Sequence, residues 1–111
     1  MLLVVSSRHL EVTGPLKSYA EQKASKLTRY FDRIQEIEVV FDAAKQKVRV
    51  EIIVHAEHRN MFVASFAHED AYACVDGCTD KLERQLSEHK KKYKNRKHAS
   101  TDKRQMRRTG T

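Results

Sequence analysis

The sequence predicts an α+β fold of order β-α-β-β-β-α, a four-stranded sheet with two helices packed on one face. Three observations carry that prediction. Two long segments repeat apolar residues at three- and four-residue spacing, three consecutive segments alternate or cluster β-formers, and a short apolar run, "LLVV", precedes them all. Helices that are apolar along one stripe only must each bury that stripe. A single sheet face satisfies both and leaves the opposite face mixed and partly wet.

Each element has its own signal. "LLVV" is bounded by Ser6 and Ser7 and reads as a first strand. Thr13 is a candidate N-cap, Pro15 is tolerated in a first turn, and Leu16, Tyr19, Ala20, Ala24, Leu27, Tyr30 and Phe31 form the stripe of a helix running on to Phe31. "EIEVVF" sets Ile37, Val39 and Phe41 on one side of a strand, and "DAAKQK" reads as a polar connection. In "KVRVEIIVHA", Val48, Val50, Ile52 and Val54 face one way and Arg49, Glu51 and His55 the other. The turn "EHRN" leads into "MFVASFA", completing an antiparallel meander. Asp70 caps a final helix whose stripe is Ala71, Val75, Cys78, Leu82, Leu86 and His89.

At 111 residues the chain fits one domain with a modest core. The expected division is a folded domain over residues 1–97 and a basic, disordered tail over 98–111, where apolar content nearly vanishes. Cys74 and Cys78 stand four apart on a helix, a poor geometry for a mutual disulfide, so a reducing, cytoplasmic setting is expected. The opening residues carry no basic segment ahead of their short apolar run, and no run approaches the roughly 20 residues of a membrane span. Neither a signal peptide nor a membrane partner is expected.

Charge is unevenly placed. Residues 1–89 hold 12 Lys/Arg against 14 Asp/Glu, while residues 90–111 hold 10 against one, so the formal net charge of +7 comes entirely from the last fifth of the chain. Such blocks act as interaction segments for polyanions. On the final helix Lys81, Arg84 and Lys91 project away from the core, at roughly 200–280° when Ala71 is set to zero. The first helix adds Lys26, Arg29 and Arg33, together with Lys23, which falls inside its own apolar stripe and must snorkel to solvent or to a partner. With both helices on one sheet face, these ridges are expected to flank a common groove leading into Lys90, Lys91, Lys92, Lys94, Arg96 and Lys97.

A phosphate backbone suits such ridges because each contact releases condensed counterions, although lysines at a helix end also serve solubility and complement its dipole. No helix-turn-helix or zinc finger is present to read a DNA major groove. Structured RNA, read through shape and phosphates, fits better. Tyr93, inside the lysine run, is a candidate for stacking on bases, and Tyr72 and Phe62 are weaker ones that helical or strand packing explains as well.

Two segments are more specific. "HLEVTGPLKSYAEQKASKLTRYFDRI" and "EDAYACVDGCTDKLERQLSEHKKK" resemble the helical signatures of the bacterial ribosome hibernation factors, the family of hibernation-promoting factor and ribosome-associated inhibitor A (protein Y). The likeness spans roughly residues 1–95 and implies the short form, without the carboxy-terminal dimerisation domain of long-form members. It implies the β-α-β-β-β-α layout, similar to double-stranded RNA-binding domains. It also implies a non-enzymatic factor that binds the small ribosomal subunit and its ribosomal RNA in the messenger and transfer RNA channel, silencing idle ribosomes. The family's basic helix residues fall on Lys23, Lys26, Lys81, Arg84, Lys90 and Lys92, and its helix-opening motif on Asp70 and Tyr72. Departures are Ala71 where Met is common, Ser7 where Gly is usual, and a turn "HRN" lacking the common Gly.

Other chemistries carry weaker signals. A helical CxxxC without a second ligand pair falls short of the roughly four convergent ligands of a zinc site, so Cys78 reads as core and no metal or cofactor is expected. His55, His58 and His68 could cluster around the last hairpin, but no nucleophile or paired carboxylate accompanies them. Asp76, Asp80 and Glu83 lie beside the basic ridge and could restrict by repulsion which side meets phosphate. The alternatives are a module for other structured RNA, or for a regulatory protein such as an alternative sigma factor. An RNA-processing hydrolase lacks any acid cluster for two-metal chemistry.

Overall fold

The structure, a computed structural model, describes residues 1–31 and 33–98, with side chains as far as His89. In chain order it comprises β1 (Leu2–Arg8), α1 (Gly14–Ser25), a 3-10 helix (Lys26–Arg29), β2 (Ile34–Ala44), β3 (Lys47–Ala56), β4 (Met61–His68) and α2 (Ala71–His98). The strands form one sheet in the order β1-β2-β3-β4. Strands β2, β3 and β4 are an antiparallel meander, whereas β1 lies parallel to β2, with Leu3 opposite Ile37 and Val5 opposite Val39. A parallel pair cannot be closed by a tight turn, so the chain crosses the sheet through α1.

Both helices cover one face. Ile37, Val39 and Phe41 of β2 and Val50, Ile52 and Val54 of β3 are fully buried there, packed with Leu16, Ala20, Ala24 and Leu27 from the first helical segment and Cys74, Val75, Cys78, Leu82 and Leu86 from α2. The period-two and helical stripes of the sequence thus meet in one core. Thr13 caps α1 as expected, its Oγ1 accepting from the Leu16 amide at 3.3 Å. The Asp70 carboxylate accepts from the Tyr72 amide at 2.9 Å and opens α2.

Two boundaries differ from expectation. The first helix does not continue to Phe31 but tightens after Ser25, where the Ser25 hydroxyl donates to the Gln22 carbonyl at 2.9 Å and the Thr28 hydroxyl to the Ser25 carbonyl at 2.8 Å. Hydroxyls bonding back to carbonyls three residues earlier compete with the α-helical ladder and favour a 3-10 turn. The segment "DAAKQK" is not a loop either. Asp42, Ala43 and Ala44 pair with Arg49, Val48 and Lys47, which shrinks the connection to Lys45 and Gln46, with Lys45 left-handed at φ 56°. The tail expected over 98–111 lies, beyond His98, outside the described residues.

Candidate nucleic-acid interface

Helix α2 touches different neighbours along its two flanks. On one, Tyr72 meets Tyr19 edge-on at 5.1 Å, and the Asp76 carboxylate accepts from the Tyr19 hydroxyl at 2.6 Å and pairs with the Lys23 ammonium at 3.3 Å. The hydrogen bond to Asp76 holds the Tyr19 phenol above its ordinary value. On the other flank, the Lys81 ammonium donates to the Ser65 carbonyl at 2.9 Å while lying 5.3 Å over the Phe66 ring, and the Gln85 amide donates to the Val63 carbonyl at 3.0 Å. These two side chains cap outward carbonyls of β4 and cover that sheet edge.

Two members of the expected ridges, Lys23 and Lys81, therefore do not face each other across a groove. Lys23 spends its charge on α1–α2 docking, and Lys81 leans on β4, on the flank of α2 away from α1. The physical reason is the helix period: Asp76 and Lys81 are separated by roughly 140° around α2, so they face different partners. Asp76 joins the two helices.

An aromatic cluster joins the helical layer to β4. Phe31, two residues after the 3-10 segment, packs edge-on against Phe62 at 5.7 Å and against the His89 ring at 5.5 Å, while Phe62 and His89 meet at 5.2 Å. This aromatic cluster ties the end of the first helical segment, the start of β4 and the last described side chain of α2 together. In sequence, exposed Lys26 and Arg29 lie just before Phe31 and exposed Arg33 just after it, whereas exposed Arg84, five residues before His89, projects roughly 140° from it around α2. The backbone of α2 runs on from this point through the lysine run. The side chains of Lys90, Lys91, Lys92, Tyr93, Lys94, Arg96 and Lys97 lie outside the described residues, but their backbone positions extend α2 away from the cluster. Phe62, a stacking candidate in the sequence, is a member of the cluster and partly buried.

The open sheet face offers a different electrostatic pattern. His55 pairs with Glu38 at 3.1 Å, and a small cleft is lined by Arg8, Val40, Asp42, Arg49 and Glu51. His9 bonds to Asp42 at 3.2 Å and holds that carboxyl below its ordinary value. Alternating charges of this kind neutralise each other and do not attract a polyanion. The three histidines of the last hairpin do not cluster: His55 pairs opposite Met61, whereas His68 sits at the far end of β4 opposite Val48, about 20 Å away along the strand.

Cys74 and Cys78 are free and buried. The Cys78 thiol donates to the Ala64 carbonyl at 3.2 Å, and desolvation pushes it up to about 12. Among the described residues no group of three or more His, Cys, Asp or Glu side chains is placed to hold a metal ion, and no described helix is long and apolar enough to cross a membrane.

The family described as sigma 54 modulation protein / S30EA ribosomal protein matches residues 3–94. The chain belongs to this family. Individual proteins are similar over most of the chain. The ribosome hibernation promoting factor of Azotobacter vinelandii is 41% identical over 92 residues, covering 83% of this chain and 85% of that protein. Among solved structures, the crystal structure of the Thermus thermophilus protein Y N-terminal domain superposes with a TM-score of 0.70 at 31% identity, covering 78% of this chain and 94% of the other. A ribosomal subunit interface protein from Coxiella burnetii gives 0.72 at 28% identity, covering 81% and 98%. The S30EA match takes in both helical segments and the first half of the lysine run.

Sequence reasoning gave no role to Gln85, which caps a β4 carbonyl, and named the turn Glu57–Asn60 only as a connection. Gln85 stands four residues after Lys81, a spacing that signals a shared helix flank. The turn is distant in sequence from either helix, and only strand pairing brings it to Arg33.

Proposed function

We propose that this chain is a ribosome hibernation factor, a non-enzymatic, cytoplasmic protein that binds the small ribosomal subunit and its ribosomal RNA in the messenger and transfer RNA channel. The observation that supports this most is its 41% identity, over most of both chains, to a protein named ribosome hibernation promoting factor. Lys26, Arg29 and Arg84 are exposed and would meet phosphates directly, with Lys90, Lys91, Lys92, Lys94 and Arg96 extending the contact along α2. Lys23 and Lys81 would join only by exchanging Asp76 or the β4 carbonyl for phosphate. Inhibition on this reading is steric. A folded body wedged into the channel excludes messenger and transfer RNA, and no bond is made or broken.

Sedimentation tests this directly. Lysate from stationary-phase cells, fractionated on a gradient and probed for this chain, is expected to show it with small subunits and whole ribosomes. Added messenger RNA should compete it off purified small subunits. Signal confined to the top of the gradient would overturn the reading.

A further inference from the structure

The turn between β3 and β4 carries two successive residues in the left-handed region, His58 at φ 63° and Arg59 at φ 62°. A two-residue turn with both central residues left-handed matches the right-handed twist of a hairpin, but it favours Asn-Gly because a side chain bearing Cβ is disfavoured there. His-Arg is a costly choice, and the surrounding structure holds it firmly. The Asn60 amide donates to the Glu57 carbonyl at 3.3 Å and the Asn60 side chain to the same carbonyl at 3.1 Å. The Ala56 amide donates to the Asn60 carbonyl at 2.8 Å and the Glu57 amide to the Arg33 carbonyl at 3.0 Å. Strain retained under such bracing points to a use for the side chains it displays.

Both side chains are exposed. The acidic residue of the turn is already taken, since the Glu57 carboxylate accepts from the Arg33 guanidinium at 2.9 Å. Among the described residues Arg59 has no ion pair. It stands three residues before Phe62, hence within about 10 Å of it along the chain, and Phe62 touches both Phe31 and His89 in the aromatic cluster.

We infer that this turn is a further RNA-contacting element, with Arg59 a phosphate ligand placed near the aromatic cluster. A guanidinium fits phosphate by its fork of donors, and a strained turn fixes its root, so less freedom is lost on binding. The inference rests on the function proposed above and adds a strand hairpin to the binding surface.

The test separates strain from binding. In the full chain, His58→Asn with Arg59→Gly installs the turn sequence that the backbone prefers. Its melting temperature is expected to rise above that of the parent, while affinity for purified small ribosomal subunits falls and the slope of log affinity against log salt flattens by about 0.7–0.9, one phosphate contact. Arg59→Gln, which keeps a long side chain on the original turn, should lose the same slope, and Arg59→Lys should retain it. Parental slopes in both charge-removing variants would overturn the inference with the proposed function intact. A parent chain that fails to bind small subunits at low salt would overturn both, and it would be recognised because no slope then exists to lose.

Discussion

A lysine placed within the apolar stripe of a helix must carry its charge to water or to a partner, and Lys23 takes the second course by reaching Asp76 across the helix interface. The same carboxylate oxygen accepts from the Tyr19 hydroxyl, so one acidic residue of α2 holds two residues of α1. Replacing Asp76 by Ala should have two opposite effects. Stability should fall by about 1 kcal/mol, the modest value of a partly exposed hydrogen bond and ion pair. Affinity for small subunits should rise, because Lys23 is freed for phosphate and a repelling charge is gone. Chemical denaturation and binding at low salt measure the two. A second residue-scale expectation concerns Cys78, whose thiol is raised from 9.0 to about 12 chiefly by burial. The thiolate is the nucleophile, so alkylation near pH 8 should require unfolding. A raised acid in the folded state stabilises the fold fully below the unfolded value and loses that contribution as pH climbs from about 9 toward 12. The stability gap between parent and Cys78→Ala should therefore narrow over that range, as read by denaturant titration at successive pH values.

At the scale of elements, α2 lies close to β4 because Gly77 has no side chain. A Cβ at that position would meet the Phe66 ring at 2.7–2.8 Å. The ring is confined, lying 5.3 Å beneath the Lys81 ammonium and stacked on His68 at 6.4 Å. Gly77→Ala gains up to about 1 kcal/mol of helix propensity, yet overpacking costs about 1–3 kcal/mol, and with the ring boxed in the second term should win. The expected result is a lower melting temperature, recovered in part by adding Phe66→Leu. Helix stripes, strand alternation and both caps were legible in the sequence because each is a local pattern of residue types. The shortening of α1 at Ser25 was hidden, since hydroxyls that bond back to the chain look like ordinary polar positions until the backbone is seen. The flanks of α2 were hidden for another reason. A helical wheel gives the angle at which Lys81 projects, but which neighbour waits at that angle depends on the order of strands and on where α1 crosses the sheet.

Across the whole molecule, charge is sorted by position. The open sheet face alternates acids and bases, the helical layer uses two of its lysines internally, and the exposed Lys26, Arg29 and Arg59 flank in sequence the aromatic cluster that joins the first helical segment, β4 and α2. The candidate cations were readable as residue types, but the approach of Arg33 to the β3–β4 turn, where its guanidinium meets Glu57, was not, because only tertiary packing brings those two segments together. From the aromatic cluster the backbone of α2 carries Lys90, Lys91 and Lys92 onward. A helix dipole rewards one or two cations near its end, whereas three consecutive like charges repel one another when no anion is near. If each of the three lysines meets a phosphate, changing all three to Gln should flatten the dependence of log affinity on log salt by about 2–3, near 0.7–0.9 per contact. Removing residues 98–111 should flatten it further but less sharply for each charge lost, and the remaining domain should still compete with messenger RNA. Binding of parent, triple variant and truncation to small subunits across a salt series decides the matter. An unchanged slope in the triple variant would reduce the lysine run to a solubility feature and leave recognition to the other cations alone.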